Sequence, residues 1–279
     1  MELLQLTVVI ALLVGALIGS FLNVVIARLP AQIEHEARQT DTAPGGDDPA
    51  PPGIAWPGSH CPHCQHAIRI RDNIPILSWL ILRGRCRDCR HPISARYPFT
   101  EVLTAVATAW IVWRFGVEPL TGAMLLLSWL MIAMAVIDFE THLLPDRLTL
   151  GGLWLGLLVS VGTDVITPTL AILGAALGYS SLWMINMAYR WLRGIDGLGY
   201  GDFKLFALIG AWGGPEALVT TLLLAPIAAL IVLLIQAPFK GIDGQREIPF
   251  GPYLAIAGWL AITAPPALAA WLPPWSGSI

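Results

Sequence analysis

Long apolar segments recur along the chain and limit the folds that it can adopt. A helix needs about 20 apolar residues to cross a bilayer, and lipid offers unpaired backbone groups no hydrogen-bond partner. Because 56% of the 279 residues are hydrophobic and only 13% are charged, these segments cannot all be buried in a soluble globule. The sequence therefore predicts an all-α polytopic membrane protein with about eight transmembrane helices. The predicted spans are residues 3–27, 99–113, 120–137, 148–163, 169–189, 203–214, 217–237 and 250–272.

The first and sixth segments differ from ordinary spans. Residues 203–214 are short, since twelve residues of helix rise only about 18 Å, so this segment either begins inside the membrane or turns back within it. A signal peptide has a basic start and a small-residue cleavage site. The first segment has no basic residue before it and no such cleavage site after it. We therefore expect residues 1–27 to be a retained span.

The basic residues indicate how the helices are oriented. With the amino terminus outside, the cytosolic stretches are 28–98, 138–147, 190–202 and 238–249. Apart from Arg114, the Lys and Arg residues lie in these stretches or directly beside their ends, as the positive-inside rule requires. This orientation places the loops after the third and fifth spans on the same, cytosolic face.

Two aspartates lie where apolar segments meet these cytosolic loops. Asp138 ends the third segment, and Asp202 follows Gly199-Tyr200-Gly201 just before the sixth. An ionised carboxylate beside lipid is costly, so acids that interrupt apolar runs are functional candidates. Two neighbouring carboxyl groups can share a proton and serve as base and acid in amide hydrolysis. A proton or ion transporter is the alternative, but both acids lie at one edge and the sequence has no internal repeat.

Other polar residues near these segments have structural explanations. Asp146 follows Pro145 at the start of the fourth segment, so we expect it to cap that helix rather than act in catalysis. Asp202 is also suited to a capping role, and Lys204 is placed to balance charge near it. We expect Asn23 to form a hydrogen bond between helices.

The long polar stretch, residues 28–98, lies between the first and second spans and divides into two parts. Residues from about 31 to 55 are rich in Pro, Gly and Asp, offer no apolar face to bury, and are predicted to be disordered linker. Residues 56–98 contain the four cysteines of the chain, as Cys61-Pro-His-Cys64 and Cys86-Arg-Asp-Cys89. Two CxxC pairs separated by 21 residues have the spacing of a small zinc-knuckle domain.

Structural zinc is the interpretation that this spacing favours. Each pair points two thiolates at one tetrahedral ion, and four thiolates leave no open position for a reactive water. Two disulfides or a redox CxxC are the alternatives, but the orientation places this loop in a reducing cytosol. Four histidines are near enough along the chain to replace a thiolate: His60, His63, His66 and His91.

Several motifs together resemble the bacterial type IV prepilin peptidases, a family of GxGD intramembrane aspartyl proteases. In the amino-terminal half the matching motifs are residues 19–30, 61–64, 72–79, 84–89 and 93–98. In the carboxy-terminal half they are Asp138 with Leu144-Pro145-Asp146, and Gly199-Tyr200-Gly201-Asp202 with Lys204. The resemblance extends from about residue 12 to residue 255. GxGD alone is a weak signal, whereas the ordered set is specific.

The resemblance implies that residues 99–279 form a membrane-embedded peptidase domain with Asp138 and Asp202 as its catalytic residues. It implies removal of the leader from prepilins and pseudopilins at the cytosolic face of the bacterial inner membrane. It also implies methylation of the new amino terminus with S-adenosylmethionine, although a peptidase without methyl transfer is an alternative. Glu101 is then either a helix-start charge or a methyl-transfer residue. Membrane lipid is the other expected partner, and nucleic acid is not expected.

Overall fold

The computed structural model describes residues 2–41, 50–163, 165–240 and 249–264, and these ranges are mostly helical. A 3-10 turn occupies Ile70–Asp72, and extended pairing in the described ranges is limited to two isolated bridges. The predicted all-α class is therefore confirmed. The helices are α1 (Glu2–Asp41), α2 (Leu77–Ile81), α3 (Arg96–Phe115), α4 (Pro119–Thr141), α5 (Asp146–Gly162), α6 (Pro168–Arg193), α7 (Tyr200–Lys240) and α8 (Gly251–Thr263).

Four of these helices are long and apolar enough to cross a bilayer, so the chain is a membrane protein. α3 covers the predicted segment 99–113 and α5 covers residues 148–162 of the segment 148–163, but neither belongs to this group. α8 is apolar but has only 13 residues. The count of eight spans therefore stays a prediction, and residues 265–272 of the eighth lie outside the described part of the chain. The four long segments are Leu4–Thr40, Pro119–Thr141, Pro168–Arg193 and Tyr200–Gln236.

α1 is longer than the predicted first span. It continues through Pro30 to Asp41, so residues 31–41, which we expected to be disordered linker, are helical. Proline inside a helix removes one backbone donor without necessarily ending the helix. The guanidinium group of Arg28 donates to the carbonyl oxygens of Gly53 at 2.6 Å and Pro57 at 2.8 Å, which ties the start of the cysteine-containing loop to α1. The rest of the predicted linker, residues 42–49, lies outside the described part.

The chain forms two compact units, Met1–Ala133 and Met134–Ile279, with α4 crossing the boundary in the sequence. In the first unit α1 packs on α3 through Gly15 and Gly19. A Cβ atom on Gly15 would lie 2.7 Å from the Cα atom of Ala105, and one on Gly19 would lie 2.7 Å from the Cα atom of Glu101. Small residues four positions apart therefore allow these two helix backbones to touch.

The first half of α7 forms the core of the second unit. Phe203, Leu205 and Leu208 are fully buried, and α5, α6 and α8 all contact α7. α6 comes close to α7 because Gly174 has no side chain. A Cβ atom on Gly174 would overlap the carbonyl group of Gly210. This half of α7 is the predicted sixth segment, and neighbouring helices enclose it, so it does not need the length of an isolated span.

α7 is interrupted at Gly214. This residue has φ 67° and ψ −171°, which are not helical angles, and Pro215 follows it. Glycine adopts a positive φ without steric cost, and glycine and proline together explain a sharp kink. The interruption separates the predicted segments 203–214 and 217–237.

Candidate active site and cysteine cluster

The second unit brings the two predicted aspartates into one buried site. Asp138 lies in the last turns of α4 and is 5% exposed, and Asp202 lies in the first turn of α7 and is 7% exposed. Both residues are therefore almost completely shielded from solvent. The charge of Asp138 acts on Asp202, so the two side chains form an electrostatically interacting pair.

Leu144 and two glycines hold the elements that carry this pair together. A Cβ atom on Gly201 would lie 2.7 Å from the Cβ atom of Leu144, and one on Gly251 would lie 3.1 Å from the Cδ1 atom of Leu144. The same Cβ atom on Gly251 would lie 2.7 Å from the Oδ2 atom of Asp138. The loop after α4 and the starts of α7 and α8 therefore converge at Leu144, and any side chain at Gly251 would displace the carboxyl group of Asp138.

Gly251 also contributes a hydrogen-bond donor that the sequence analysis missed. Its backbone N–H donates to the Oδ2 atom of Asp138 at 3.0 Å. Gly251 is the first residue of α8, so this N–H group belongs to the set that has no partner inside the helix and favours an anion. The local signal was Gly251-Pro252, which is typical of a helix start, although nothing local indicates which acid it faces.

Asp202 helps to form the start of its own helix. α7 begins at Tyr200, and the backbone of Gly199 hydrogen-bonds to the Asp202 carboxyl group. An acid in the first turn that accepts from the residue before the helix is a common capping arrangement. Asp202 is therefore not itself the N-cap residue that we considered, but its carboxyl group accepts from the residue at that position, and it also pairs with Asp138.

Asp146 has a different role from the one expected. Pro145 occupies the cap position of α5, and Asp146 is the first helical residue and makes no cap hydrogen bond. Its Oδ1 atom instead lies 2.6 Å from the Nζ atom of Lys204 on α7. The capping prediction for Asp146 is therefore wrong, because its carboxyl group is turned to a cation from another helix.

Asn186 fixes the loop before Asp202, and the sequence analysis missed it. This residue near the end of α6 is 4% exposed. Its Oδ1 atom accepts from the backbone N–H groups of Gly197 at 2.8 Å and Leu198 at 3.1 Å, and its Nδ2 atom donates to Asp196 at 3.1 Å. A buried asparagine that satisfies two loop donors positions the loop. The available signal was an amide in an otherwise apolar helix.

The first unit brings the four cysteines together in two turns of the same form. The Cys61 N–H donates to the carbonyl group of His66 at 2.9 Å, and the Cys86 N–H donates to that of His91 at the same distance. Gln65 and Arg90 follow the second cysteine of each turn and both have a positive φ, 59° and 60°. Each CxxC pair therefore forms a knuckle, as predicted.

The geometry of the thiol groups suits one metal ion. The four Sγ atoms lie within 4.8 Å of one another, and those of Cys61 and Cys89 are 3.8 Å apart. Tetrahedral coordination with metal–sulfur bonds of about 2.3 Å places sulfurs about 3.8 Å apart. The four residues Cys61, Cys64, Cys86 and Cys89 can therefore hold a metal ion.

The same unit contains a cavity of about 560 Å³ between the cysteine-containing loop and the loop-facing ends of α1 and α3. Its wall includes Cys61, Trp79 and Tyr97, and its floor includes Asn23 and Glu101. The Nδ2 atom of Asn23 donates to the carbonyl oxygen of Tyr97 at 3.0 Å, so the predicted hydrogen bond between helices is present. A cavity of this size can enclose a small organic molecule.

Two protein-family models match the chain. The model described as the bacterial peptidase A24 N-terminal domain matches residues 13–115, and the model described as the type IV leader peptidase family matches residues 125–234. The first range contains the cysteine cluster and the cavity, and the second contains both aspartates.

Three relatives named prepilin leader peptidase/N-methyltransferase illustrate the similarity. The protein from Pectobacterium carotovorum subsp. carotovorum is 46% identical over 88% of this chain and 88% of its own length. That from Aeromonas hydrophila is 43% identical over 93% and 91%, and that from Stutzerimonas stutzeri is 42% identical over 91% and 90%. No solved structure matches the chain significantly.

Proposed function

The chain belongs to the type IV leader peptidase family, and we propose that it cleaves the leader from prepilins and pseudopilins and then N-methylates the new amino terminus. The observation that carries the peptidase assignment is the buried pair of Asp138 and Asp202, whose carboxyl groups interact. Its relatives of similar length are named for both reactions. Neither a peptidase without methyl transfer nor an ion transporter is favoured by them.

The peptidase step uses the two aspartates as a dyad. Two carboxyl groups close together in a buried site cannot both ionise easily, so they share one proton and titrate as a coupled pair. One carboxylate takes a proton from a water molecule that attacks the scissile carbonyl, and the other protonates the leaving nitrogen. The N–H of Gly251 orients Asp138 for this exchange, and the absence of a side chain at Gly199 leaves room for an extended peptide.

The site faces the cytosol at the bacterial inner membrane in this proposal. The distribution of Lys and Arg supports that orientation, because the loops that flank Asp138 and Asp202 are on the basic side. Membrane lipid surrounds the apolar helices, and the substrates are membrane-anchored prepilins. Nucleic acid has no part in the reaction.

Zinc is the metal that we assign to Cys61, Cys64, Cys86 and Cys89. The support is the four-thiol donor set and its spacing, which match a closed tetrahedral zinc site. The ion is structural, because four thiolates leave no position for water. By linking the two knuckles it holds the loop that forms one wall of the cavity in the first unit.

The methyl donor, S-adenosylmethionine, is assigned to that cavity. When bound, it supplies an electrophilic methyl group for transfer to an amine. The chain's own contribution is to enclose the reaction in a space of about 560 Å³ with aromatic and apolar walls and a few polar groups. Trp79 and Tyr97 provide aromatic surface there, and the Trp79 ring is fixed by its donation to the Ile93 carbonyl at 3.1 Å.

A single experiment tests both reactions. The purified protein is incubated with a full-length prepilin and S-adenosylmethionine, and the product is weighed by mass spectrometry. We expect a product that has lost its leader and gained one methyl group on the new amino terminus. A prepilin of unchanged mass contradicts the peptidase assignment, and a cleaved product without the methyl group contradicts the second activity alone.

A further inference from the structure

The floor of the cavity in the first unit contains an acid that peptide cleavage does not use. Glu101 lies in the second turn of α3, lines the cavity and is only 7% exposed. Its Oε2 atom accepts from the Ile76 N–H at 2.6 Å, and Ser20 also hydrogen-bonds to the carboxyl group. Both of these donors are neutral. In the described ranges no Lys, Arg or His forms an ion pair with Glu101, so this buried acid lacks a counter-ion.

Asn23 adds an acceptor without a partner to the lining of the same cavity. Its Nδ2 atom is committed to the Tyr97 carbonyl, which fixes the orientation of the amide. Its Oδ1 atom is buried and has no hydrogen-bond partner among the described residues. Asn23 is one helical turn from Ser20 on α1, and Tyr97 is one turn from Glu101 on α3, so the two acceptors face the same region.

The three arginines that line the cavity are already held by other groups. Arg87 forms a two-point contact with Asp72, at 2.7 and 2.5 Å, and this contact holds the pKa of Asp72 below its ordinary value. The guanidinium group of Arg28 is held by backbone carbonyls, and Arg69 lies 3.7 Å from Asp88. The floor therefore offers acceptors and negative charge without a matching cation from the wall.

We propose that Glu101, Ser20 and Asn23 form a binding site for a protonated primary amino group. An ammonium group carries three donors and one positive charge, which matches a carboxylate, a hydroxyl oxygen and an amide oxygen. The choice of ligands rests on the proposed methyl transfer, which involves two molecules that carry a primary amino group. One is the amino terminus freed by cleavage, and the other is the α-amino group of the methyl donor.

Binding measurements on the full-length, metal-loaded protein in detergent test the site without any turnover. The variant is Glu101→Gln, which removes the charge but keeps an oxygen acceptor for the Ile76 N–H. The matched control is Glu118→Gln, at an exposed glutamate of the same unit. The probes are a peptide with a free amino terminus, the same peptide acetylated, S-adenosylmethionine, and methylthioadenosine, which lacks the amino group. Calorimetry gives each dissociation constant.

We expect Glu101→Gln to weaken the binding of one of the two amine-containing probes by about 10- to 100-fold, the usual effect of losing a charged hydrogen bond. The matching probe without a free amino group should bind equally to the wild type and to Glu101→Gln. Weaker binding of the free peptide assigns the site to the methyl acceptor, and weaker binding of S-adenosylmethionine assigns it to the donor. Glu101→Asp, which retains the charge, should keep part of the affinity.

Equal binding of every probe to the wild type and Glu101→Gln would overturn the proposal. The variant should retain its metal and its rate of leader cleavage, which shows that it is folded. A wild-type protein that binds the probes but transfers no methyl group would refute the proposed methyl transfer and leave the amine site standing.

Discussion

Helix backbones touch through glycines in both units of this protein, but the two proposed sites are stabilised in different ways. In the second unit helix backbones touch through glycines such as Gly174 and Gly210, and the two aspartates sit in a site built from helix ends. In the first unit, residues 50–95 form turns and the short helix α2, and most of their side chains are exposed or half-buried around a group of cysteines. A helical frame can organise a site without a metal, whereas a loop of this kind has little core, and the proposed zinc would supply the missing order. We therefore expect the two proposed activities to respond differently to the same treatments.

Removal of the metal should separate the two activities most strongly. A chelator, or Cys61→Ser with Cys64→Ser, should loosen the cysteine-containing loop and abolish methyl transfer, because the cavity loses one wall. Leader cleavage should fall by less than about threefold, since the helices around the aspartates contain none of these ligands. Zinc content and the rates of both reactions check this prediction.

A mock treatment with the zinc-saturated chelator is the control. If methylation persisted at its full rate after the metal was removed, the metal would not support the cavity. If cleavage were lost together with methylation, the two units would not be independent.

Adding a methyl group at Gly251 should have the opposite selectivity and slow leader cleavage while leaving methyl transfer intact. The new Cβ atom of Gly251→Ala would lie 2.7 Å from Asp138 Oδ2, so the carboxyl group must move. A shift of about 1 Å at a catalytic group commonly costs about 100-fold in rate. Gly151→Ala on α5 is the matched control, because its Cβ atom would have no neighbour within 4 Å. Cleavage at the wild-type rate by Gly251→Ala would show that Gly251 does not position Asp138 for catalysis.

Loss of the loop anchor at Asn186 should have a smaller effect. Asn186→Ala removes the acceptor of the Gly197 and Leu198 N–H groups. Because these two residues are exposed or half-buried, water can replace the acceptor, and each lost hydrogen bond costs only about 0.5–1.5 kcal/mol. The loop before Asp202 should become less ordered, and cleavage should slow by about tenfold while methylation is unchanged. Met187→Ala, at the neighbouring and more exposed position, is the control. An unchanged cleavage rate would show that the loop holds its conformation without Asn186.

The ion pair between Asp146 and Lys204 should matter least. Exposed ion pairs contribute about 0–1 kcal/mol, and more than half of the Asp146 side chain is exposed. Asp146→Asn and Lys204→Met should each slow cleavage by no more than a few fold. The double variant should be no worse than the single ones, because they remove the same contact. A loss of more than about 100-fold in Asp146→Asn would mean that Asp146 takes part in the chemistry.

Features encoded by local patterns were accessible from the sequence. The apolar runs indicated a helical membrane protein, the two CxxC pairs indicated a cluster of thiols, and Asp138 and Asp202 stood out as acids at the ends of apolar segments. In each case a few neighbouring residues carry the signal, because burial and coordination impose a fixed spacing. The assignment of catalysis to the two aspartates stays a prediction.

Features that depend on contacts between distant residues were not accessible. Gly251 meets Asp138 only after α8 packs against α7, and Asn186 reaches its partners across the turn that follows α6. Asp146 was assigned to a cap because local sequence favours one, but Lys204 from another helix competes for its carboxyl group. Likewise, Pro30 and the polar composition that follows it suggested an early end for α1, which nevertheless continues to Asp41.

The most direct test of the proposed aspartate dyad is leader cleavage by Asp138→Asn and Asp202→Asn, with Asp146→Asn as the matched control. Each variant is given an intact prepilin, and a pre-cleaved peptide with S-adenosylmethionine, and both products are weighed. We expect that neither Asp138→Asn nor Asp202→Asn removes the leader and that both methylate the pre-cleaved peptide. Asp146→Asn should carry out both reactions. Cleavage at the wild-type rate by either Asp138→Asn or Asp202→Asn would show that the two aspartates are not the catalytic dyad.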